Sequence, residues 1–245
     1  MKNIIIFCLA NNDRMTAEKD IGVIIDDKLK FSQHMAEKIN KANKIVGIIR
    51  RSFLYLDCGI FRALYTSLVR PHLEYANQIW SPHLVKDVEA TENVQRRATK
   101  MVPELKELPY EERLQKLKLP SLAYRRSRGD LIEAFKILTD KYDPECTRGL
   151  FTMRESEGTR GNSRKIFKPR IRLDLRKYSF PIRIINNWNS LPEWVVSAGS
   201  VESFEARLDK FWEHQEQKYN YKAQITTTIS HQILSNRTQD LETQA

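Results

Sequence analysis

Adjacent carboxylates behind a β-branched run are the first candidates for reactivity. Asp26 and Asp27 follow Ile21-Gly22-Val23-Ile24-Ile25, a run whose residue types favour a strand. A paired carboxylate at a strand end can hold divalent ions for phosphoryl transfer, but a two-metal site needs further carboxylates on an adjacent strand, and the sequence offers no such strand. Asp26 and Asp27 therefore read as turn formers that place negative charge at a helix start. The second class of candidates is basic: Lys38, Lys41 and Lys44; Arg96, Arg97 and Lys100; Arg125, Arg126 and Arg128; and Arg164, Lys165, Lys168, Arg170 and Arg172. Cations clustered on helix faces suit the phosphates of a polynucleotide backbone.

Other chemistries lack their residues. The sequence has no GxSxG, no Gly-rich phosphate loop, no HExxH and no Ser–His–Asp set. Cys8, Cys58 and Cys146 are widely spaced and form no CxxC; with the five histidines they show no metal-ligand spacing, so neither a disulfide framework nor a zinc site is expected. His72 and Glu74 flank the helix kink expected near Pro71 and read as structural hydrogen-bonding groups. The 245 residues carry 41 Lys and Arg against 31 Asp and Glu, a net charge of +10, which favours polyanionic partners. No apolar run approaches the ~20 residues of a membrane span, and the short Ile4–Ala10 run is not expected to be a signal peptide.

The elements that must position these groups are mostly helical. Phe31, Met35, Ile39, Ala42, Val46, Ile49 and Phe53 step by threes and fours, predicting a long amphipathic helix that places Lys38, Lys41 and Lys44 opposite its core face and stops near Gly59. From Phe61 to Val102 the same spacing continues in two runs. Pro71 should kink or divide the first, and Pro82 should separate the two. Arg96, Arg97 and Lys100 fall at the end of the second. A helix from Ser121 carries the Arg125 cluster, with Gly129 marking a close helix approach or a short break. Ile171, Leu173 and Leu175 alternate with Arg170, Arg172, Asp174 and Arg176, predicting a short β element near 168–175. Ser200 is a plausible N-cap for a last helix bearing Phe204, Leu208, Phe211 and Trp212. Trp80, Trp188, Trp194 and Trp212 are expected in cores. Residues 3–8 and 21–25 read as the strands of an opening hairpin.

Several phrases, in order, carry a resemblance. They are Lys19-Asp20-Ile21-Gly22-Val23-Ile24-Ile25-Asp26 with Phe31-Ser32-Gln33-His34; Leu64-Tyr65-Thr66-Ser67-Leu68-Val69-Arg70-Pro71-His72-Leu73-Glu74-Tyr75-Ala76; and Trp80-Ser81-Pro82. Then come Glu92-Asn93-Val94-Gln95-Arg96-Arg97-Ala98-Thr99-Lys100, Tyr110-Glu111-Glu112-Arg113-Leu114, Arg125-Arg126-Ser127-Arg128-Gly129-Asp130-Leu131, Trp188-Asn189-Ser190-Leu191-Pro192 and Ser200-Val201-Glu202-Ser203-Phe204. Together they resemble the C-terminal part of reverse transcriptases from non-LTR retrotransposons of the jockey-like group, over about residues 15–215.

The resemblance implies a mainly α fold, a helical thumb-like bundle with a small N-terminal β-hairpin and the short β element near 168–175. It implies a palm-end hairpin remnant at 1–30 and a thumb-like domain at 31–142, to which composition and residue pattern add a linker or exposed loop at 143–167, a C-terminal β/α module at 168–219 and a disordered tail at 220–245. Polymerases of the family hold two metal ions with an aromatic-Ala-Asp-Asp turn and a distant third aspartate. Here Ile24-Ile25 precede Asp26-Asp27, so no catalytic residue, no metal and no other cofactor is expected, and the chain is not expected to be an enzyme. It is expected to be a fragment of an RNA-directed DNA polymerase that binds RNA or an RNA–DNA hybrid through backbone contacts, inside the cell, in nucleus or cytoplasm, and not at a membrane. The alternative is a non-enzymatic interaction or self-association module, joined through surface left bare by a missing palm.

Overall fold

The computed structural model describes residues 17–154 and 162–227. Residues 3–8, expected as the first hairpin strand, lie outside them. The chain is mainly helical with one two-stranded antiparallel sheet. It divides into two compact units, one ending at Pro103 and the next beginning at Glu104, so the break lies well before the linker expected at 143–167.

In the first unit, β1 (Ala17–Asp20) pairs with β2 (Val23–Asp26), with Asp20 opposite Val23 and Ala17 opposite Asp26. The hairpin exists, but its first strand is the polar segment expected to be the connection. Ile21 and Gly22 form the turn with φ of 41° and 80°. Positive φ at both central residues matches the right-handed twist of the strands. A Cβ on Gly22 would be strained by that φ and would meet the Tyr75 ring at 3.5 Å.

Asp26 then turns the chain into the first helix. Its carboxylate accepts from the backbone N–H groups of Lys28 (3.1 Å), Lys30 (3.0 Å) and Phe31 (2.5 Å). These bonds hold a connection in which Leu29 and Phe31 both take left-handed φ, costly for such residues without support. Helix α1 (Ser32–Ser52) follows, burying Met35, Ala42 and Ile49 as its spacing predicts. It ends at Ser52 and not near Gly59, because Asp57 caps the next helix, accepting from Ile60 N–H at 2.8 Å.

That next helix, α2 (Cys58–Leu64), runs into a π-turn (Tyr65–Val69) and on into α3 (Arg70–Glu74). Pro71 explains the division. It has no N–H to donate, and widening the preceding turn, with Arg70 N–H reaching back to Tyr65 O, lets the chain pass it. The turn also aligns the core. Phe61, Tyr65, Val69 and Leu73 are spaced by four, which in an ideal α-helix drifts a stripe by about 120° over three steps. With the π-turn inserted, all four are essentially inaccessible to solvent. Ala42 and Ile49 of α1 are buried as well, as are Val94 and Ala98, and Tyr65 donates to Gln95 Oε1 at 2.8 Å. Short α4 (Asn77–Trp80) precedes α5 (Val85–Thr99), which packs on α1.

The hairpin is fastened to these helices by one cluster. Trp80 is buried; its indole N–H donates to Tyr75 O at 2.6 Å, and its ring lies 5.2 Å from that of His34. Tyr75 Oη–H donates to Ile21 O at 2.9 Å, and Ile24 N–H donates to His34 Nδ1 at 3.2 Å.

In the second unit, α6 (Tyr110–Leu117) precedes α7 (Leu122–Leu138), capped by Ser121 Oγ, which accepts from Tyr124 N–H. Helix α7 runs unbroken through Gly129, where a Cβ would meet nothing within 4 Å; the close approach expected there is not present. Its apolar face packs with the last helix, α8 (Val201–Phe211), capped as expected by Ser200. Phe135 stacks on Phe204 at 4.3 Å, Trp188 on Phe204 at 5.9 Å, and Trp212 tilts against Tyr124 at 5.8 Å. The four tryptophans thus divide: three are buried, and Trp194 stays 43% exposed beside Phe211.

The β element expected here is absent. Residues 168–175 form no strand: 168–173 have no regular structure, and Asp174–Lys177 is one helical turn. The alternating Leu173 and Leu175 are exposed and pair with no strand among the described residues, so the pattern has no sheet to join. Nor are residues 162–167 a free loop. Asn189 holds Ile166 by both backbone groups, accepting from its N–H (2.8 Å) and donating to its O (2.9 Å), while Asn162 donates to Trp188 O and Leu191 O. Residues 220–227 are likewise tied back, with Gln215 accepting from Thr226 N–H and donating to Thr226 O; the remainder of the expected tail lies outside the described residues.

His34 yields a pH prediction. Because Nδ1 accepts, the proton sits on Nε2, which is buried and has no hydrogen-bond partner among the described residues. Burial, reinforced by Lys38 and Lys19 and opposed by Glu37, holds its pKa down at about 4 against an ordinary 6.5. The unfolded chain therefore binds the proton first, so stability is full above the ordinary value and falls as pH drops toward about 4, by about 3 kcal/mol in total. Urea unfolding followed at Trp80 should show this loss. His34→Gln, which keeps an acceptor for Ile24, should flatten it, and an unchanged acid slope in that variant would refute the assignment.

Candidate nucleic-acid interface

Helix α1 positions Lys38, Lys41 and Lys44 by turning Met35, Ala42 and Ile49 into the core. Lys41 and Lys44 are exposed, and no ion pair engages either among the described residues. The Lys38 side chain is mostly covered, with its ammonium 3.8 Å from Glu37. Helix α5 presents Arg97, exposed, whose Nη2 donates to Asn43 Oδ1 on α1 at 3.1 Å and whose Nε donates to Asn93 O at 3.3 Å. Asn43 thus ties Arg97 to α1 across the packed pair. Lys100 stands exposed at the end of α5. Arg96 is half-buried and donates to Asn93 Oδ1 at 2.9 Å, which turns it toward its own helix. Sequence periodicity alone grouped the α1 lysines separately from the α5 bases; folding brings them onto one pair of helices.

The Arg125 cluster of the second unit has a different use. Arg128 makes a two-pronged contact with Asp209 (2.6 and 2.9 Å) and a third bond to Glu205 (3.2 Å), tying α7 to α8. The Asp209 hydrogen bond pushes the Arg128 pKa up, so the guanidinium is held charged and engaged. Arg126 is buried at 6% exposure, and Arg125 is half-buried. The expectation that Arg126 and Arg128 face a ligand is therefore corrected. The neighbouring Asp130, also buried, takes a two-pronged bond from Arg183 at 2.8 and 2.9 Å. Burial pushes the Asp130 carboxyl up while Arg183 opposes it.

The third basic group rides on the strap held by Asn162 and Asn189. Arg164 and Lys165 are half-buried, and Arg164 O accepts the Trp188 indole N–H at 2.8 Å. Lys168 is exposed with Nζ on Asn186 Oδ1 at 2.9 Å; Arg170 and Arg172 are exposed.

Sequence reasoning missed His72 as part of the basic surface. It is half-buried on α3, and burial together with Lys41 and Lys38 lowers its pKa. The only sequence signal was its place beside Pro71. Asp26 forms the turn its reading predicts, with both its carboxylate oxygens occupied by backbone donors, whereas the helix that follows has no acid in its first turn. Among the described residues no cluster of His, Cys, Asp and Glu is arranged to hold a metal, and no helix is long and apolar enough to cross a membrane.

Comparison with protein-family models, with curated proteins and with solved structures finds no match. The functional reading rests on the residues themselves.

Arg128 provides a test of the sorting. Arg128→Gln should lower stability by about 1 kcal/mol, as expected of a partly exposed charge network, while leaving the salt dependence of polyanion binding unchanged. A salt slope reduced by about one in that variant would return Arg128 to the interface.

Proposed function

We propose that this chain binds nucleic acid through its phosphate backbone, as a thumb-like part of a retroelement reverse transcriptase, and that it performs no polymerisation itself. The observation that carries the reading is the packed pair α1 and α5, where Lys41, Lys44 and Lys100 are exposed, with no ion pair among the described residues, and the exposed Arg97 is held to α1 by Asn43. A face of this kind contacts phosphates without reading bases, which is what a duplex-closing element requires. The absence of catalysis is supported by Asp26, whose carboxylate is taken up by the turn into α1.

A second reading is favoured by a specific surface. Ile48, Phe53, Leu54, Tyr55 and Ile60 lie exposed around the end of α1, with Leu54 fully open, and Ile21 is 80% exposed at the hairpin tip. Such residues suit self-association or a protein partner.

Fluorescence anisotropy with an RNA–DNA hybrid separates the two. Affinity should fall steeply with salt, and replacing Lys41, Lys44, Arg97 and Lys100 together by Gln should reduce the slope by about three to four. A flat salt response, or no binding by a chain that light scattering finds dimeric, would transfer support to the apolar surface.

A further inference from the structure

Residues 170–176 read Arg-Ile-Arg-Leu-Asp-Leu-Arg, and the order is nearly the same from either end. About Leu173, Ile171 mirrors Leu175, Arg172 mirrors Asp174 and Arg170 mirrors Arg176. The segment lies open. Leu173 is 70% exposed and Leu175 55%, and Arg170, Arg172, Asp174 and Arg176 are exposed too. Among the described residues neither Arg172 nor Asp174 has an ion-pair partner. Residues 168–172 make no backbone hydrogen bond among them either, so their N–H and C=O groups are available to a partner. Leu173 already has extended backbone, with φ of −105° and ψ of 131°. Asp174–Lys177 close one helical turn, in which Arg176 and Lys177 N–H donate to Leu173 O at 3.1 Å and Tyr178 N–H donates to Asp174 O at 3.0 Å. So short a helix has little stability of its own and opens at small cost.

We propose that residues 170–176 pair as an antiparallel strand with the same residues of a second copy of this chain, about a two-fold axis at Leu173. Residues opposite one another in an antiparallel pair share a face. The register therefore sets Leu173 against Leu173 and Ile171 against Leu175 on both sides, gathering six apolar side chains on one face. On the other face Arg172 of each copy stands against Asp174 of the other, which makes two ion pairs. Only Arg170 against Arg176, at the solvated ends, brings like charges together, and salt screens them. Slipping the register by one residue would set Leu173 against Arg172, so pattern and charge agree on the central register. Pro169 stands just before the paired residues, where a strand tolerates it. The second copy supplies the neighbour that the alternating pattern lacks within its own chain. This pairing is independent of the nucleic-acid reading and of the apolar surface around the end of α1.

An interface this small is weak, so the test is light scattering on the nuclease-treated full chain from about 10 to 500 µM, where dimers should form as concentration rises. Arg172→Asp and Asp174→Arg each set like charges opposite one another at both ion pairs, and each should weaken the dimer by about tenfold. The two variants move the net charge in opposite directions, so an effect of overall charge would separate them. Combining them restores both ion pairs with the net charge unchanged, and the double variant should dimerise like the original chain. Both positions are exposed, and circular dichroism checks that the fold is kept. A chain that stays monomeric across this range overturns the pairing. So does a dimer that either single variant leaves intact, which would move self-association to the apolar surface around the end of α1. A dimer that the double variant fails to restore overturns it as well.

Discussion

The indole of Trp80 is the contact on which the first unit depends. A two-stranded hairpin has too little surface to be stable in water by itself. Here it borrows stability from the helices, through a ring pair with His34 and two backbone bonds, Tyr75 to Ile21 and Ile24 to His34. His34 belongs to the first turns of α1, so the same contact fixes where α1 begins. Asp26 fixes the angle from the other side, by drawing three N–H groups into the turn. The orientation of Lys41 and Lys44 follows from those two anchors, and Asn43 then carries the position of α1 across to Arg97.

The basic residues show how much a charge's role depends on what the fold places opposite it. Arg97 and Arg128 look alike in sequence, each in an Arg-rich helical phrase. One meets an amide and a backbone carbonyl, which leave its charge uncompensated. The other meets two carboxylates and becomes a tie between helices. Net charge therefore overstates the surface available to a polyanion, and the exposed cations Lys41, Lys44, Arg97 and Lys100 sit on two helices that pack side by side.

Much of this fold was legible in the sequence because its signals are local. The three-and-four stepping of Met35, Ala42 and Ile49 defined α1, Ser200 marked the start of the last helix, and Pro71 announced the division in the helix before it. What local patterns cannot carry is the identity of distant partners. Asp209 lies 81 residues from Arg128, and Arg183 lies 53 from Asp130. Nothing near either residue announces the pairing. The alternation at 170–176 failed for a related reason, since a strand needs a neighbour and Asn189 already holds the adjoining chain by its backbone. The hairpin was displaced along the chain because polar Ala17–Asp20 lacks the β-branched residues that mark a strand; its pairing comes from the Ile21–Gly22 turn and from β2.

The central claim is that nucleic acid lies against α1 and α5, and the direct measurement is cross-linking of a thiouridine-bearing RNA–DNA hybrid to the full chain, followed by peptide mapping. The expected cross-links fall in peptides containing Lys41, Lys44, Arg97 and Lys100, and they diminish as salt is raised. Cross-links confined to α7 around Arg126 and Arg128, or distributed over the chain without regard to salt, would contradict the account.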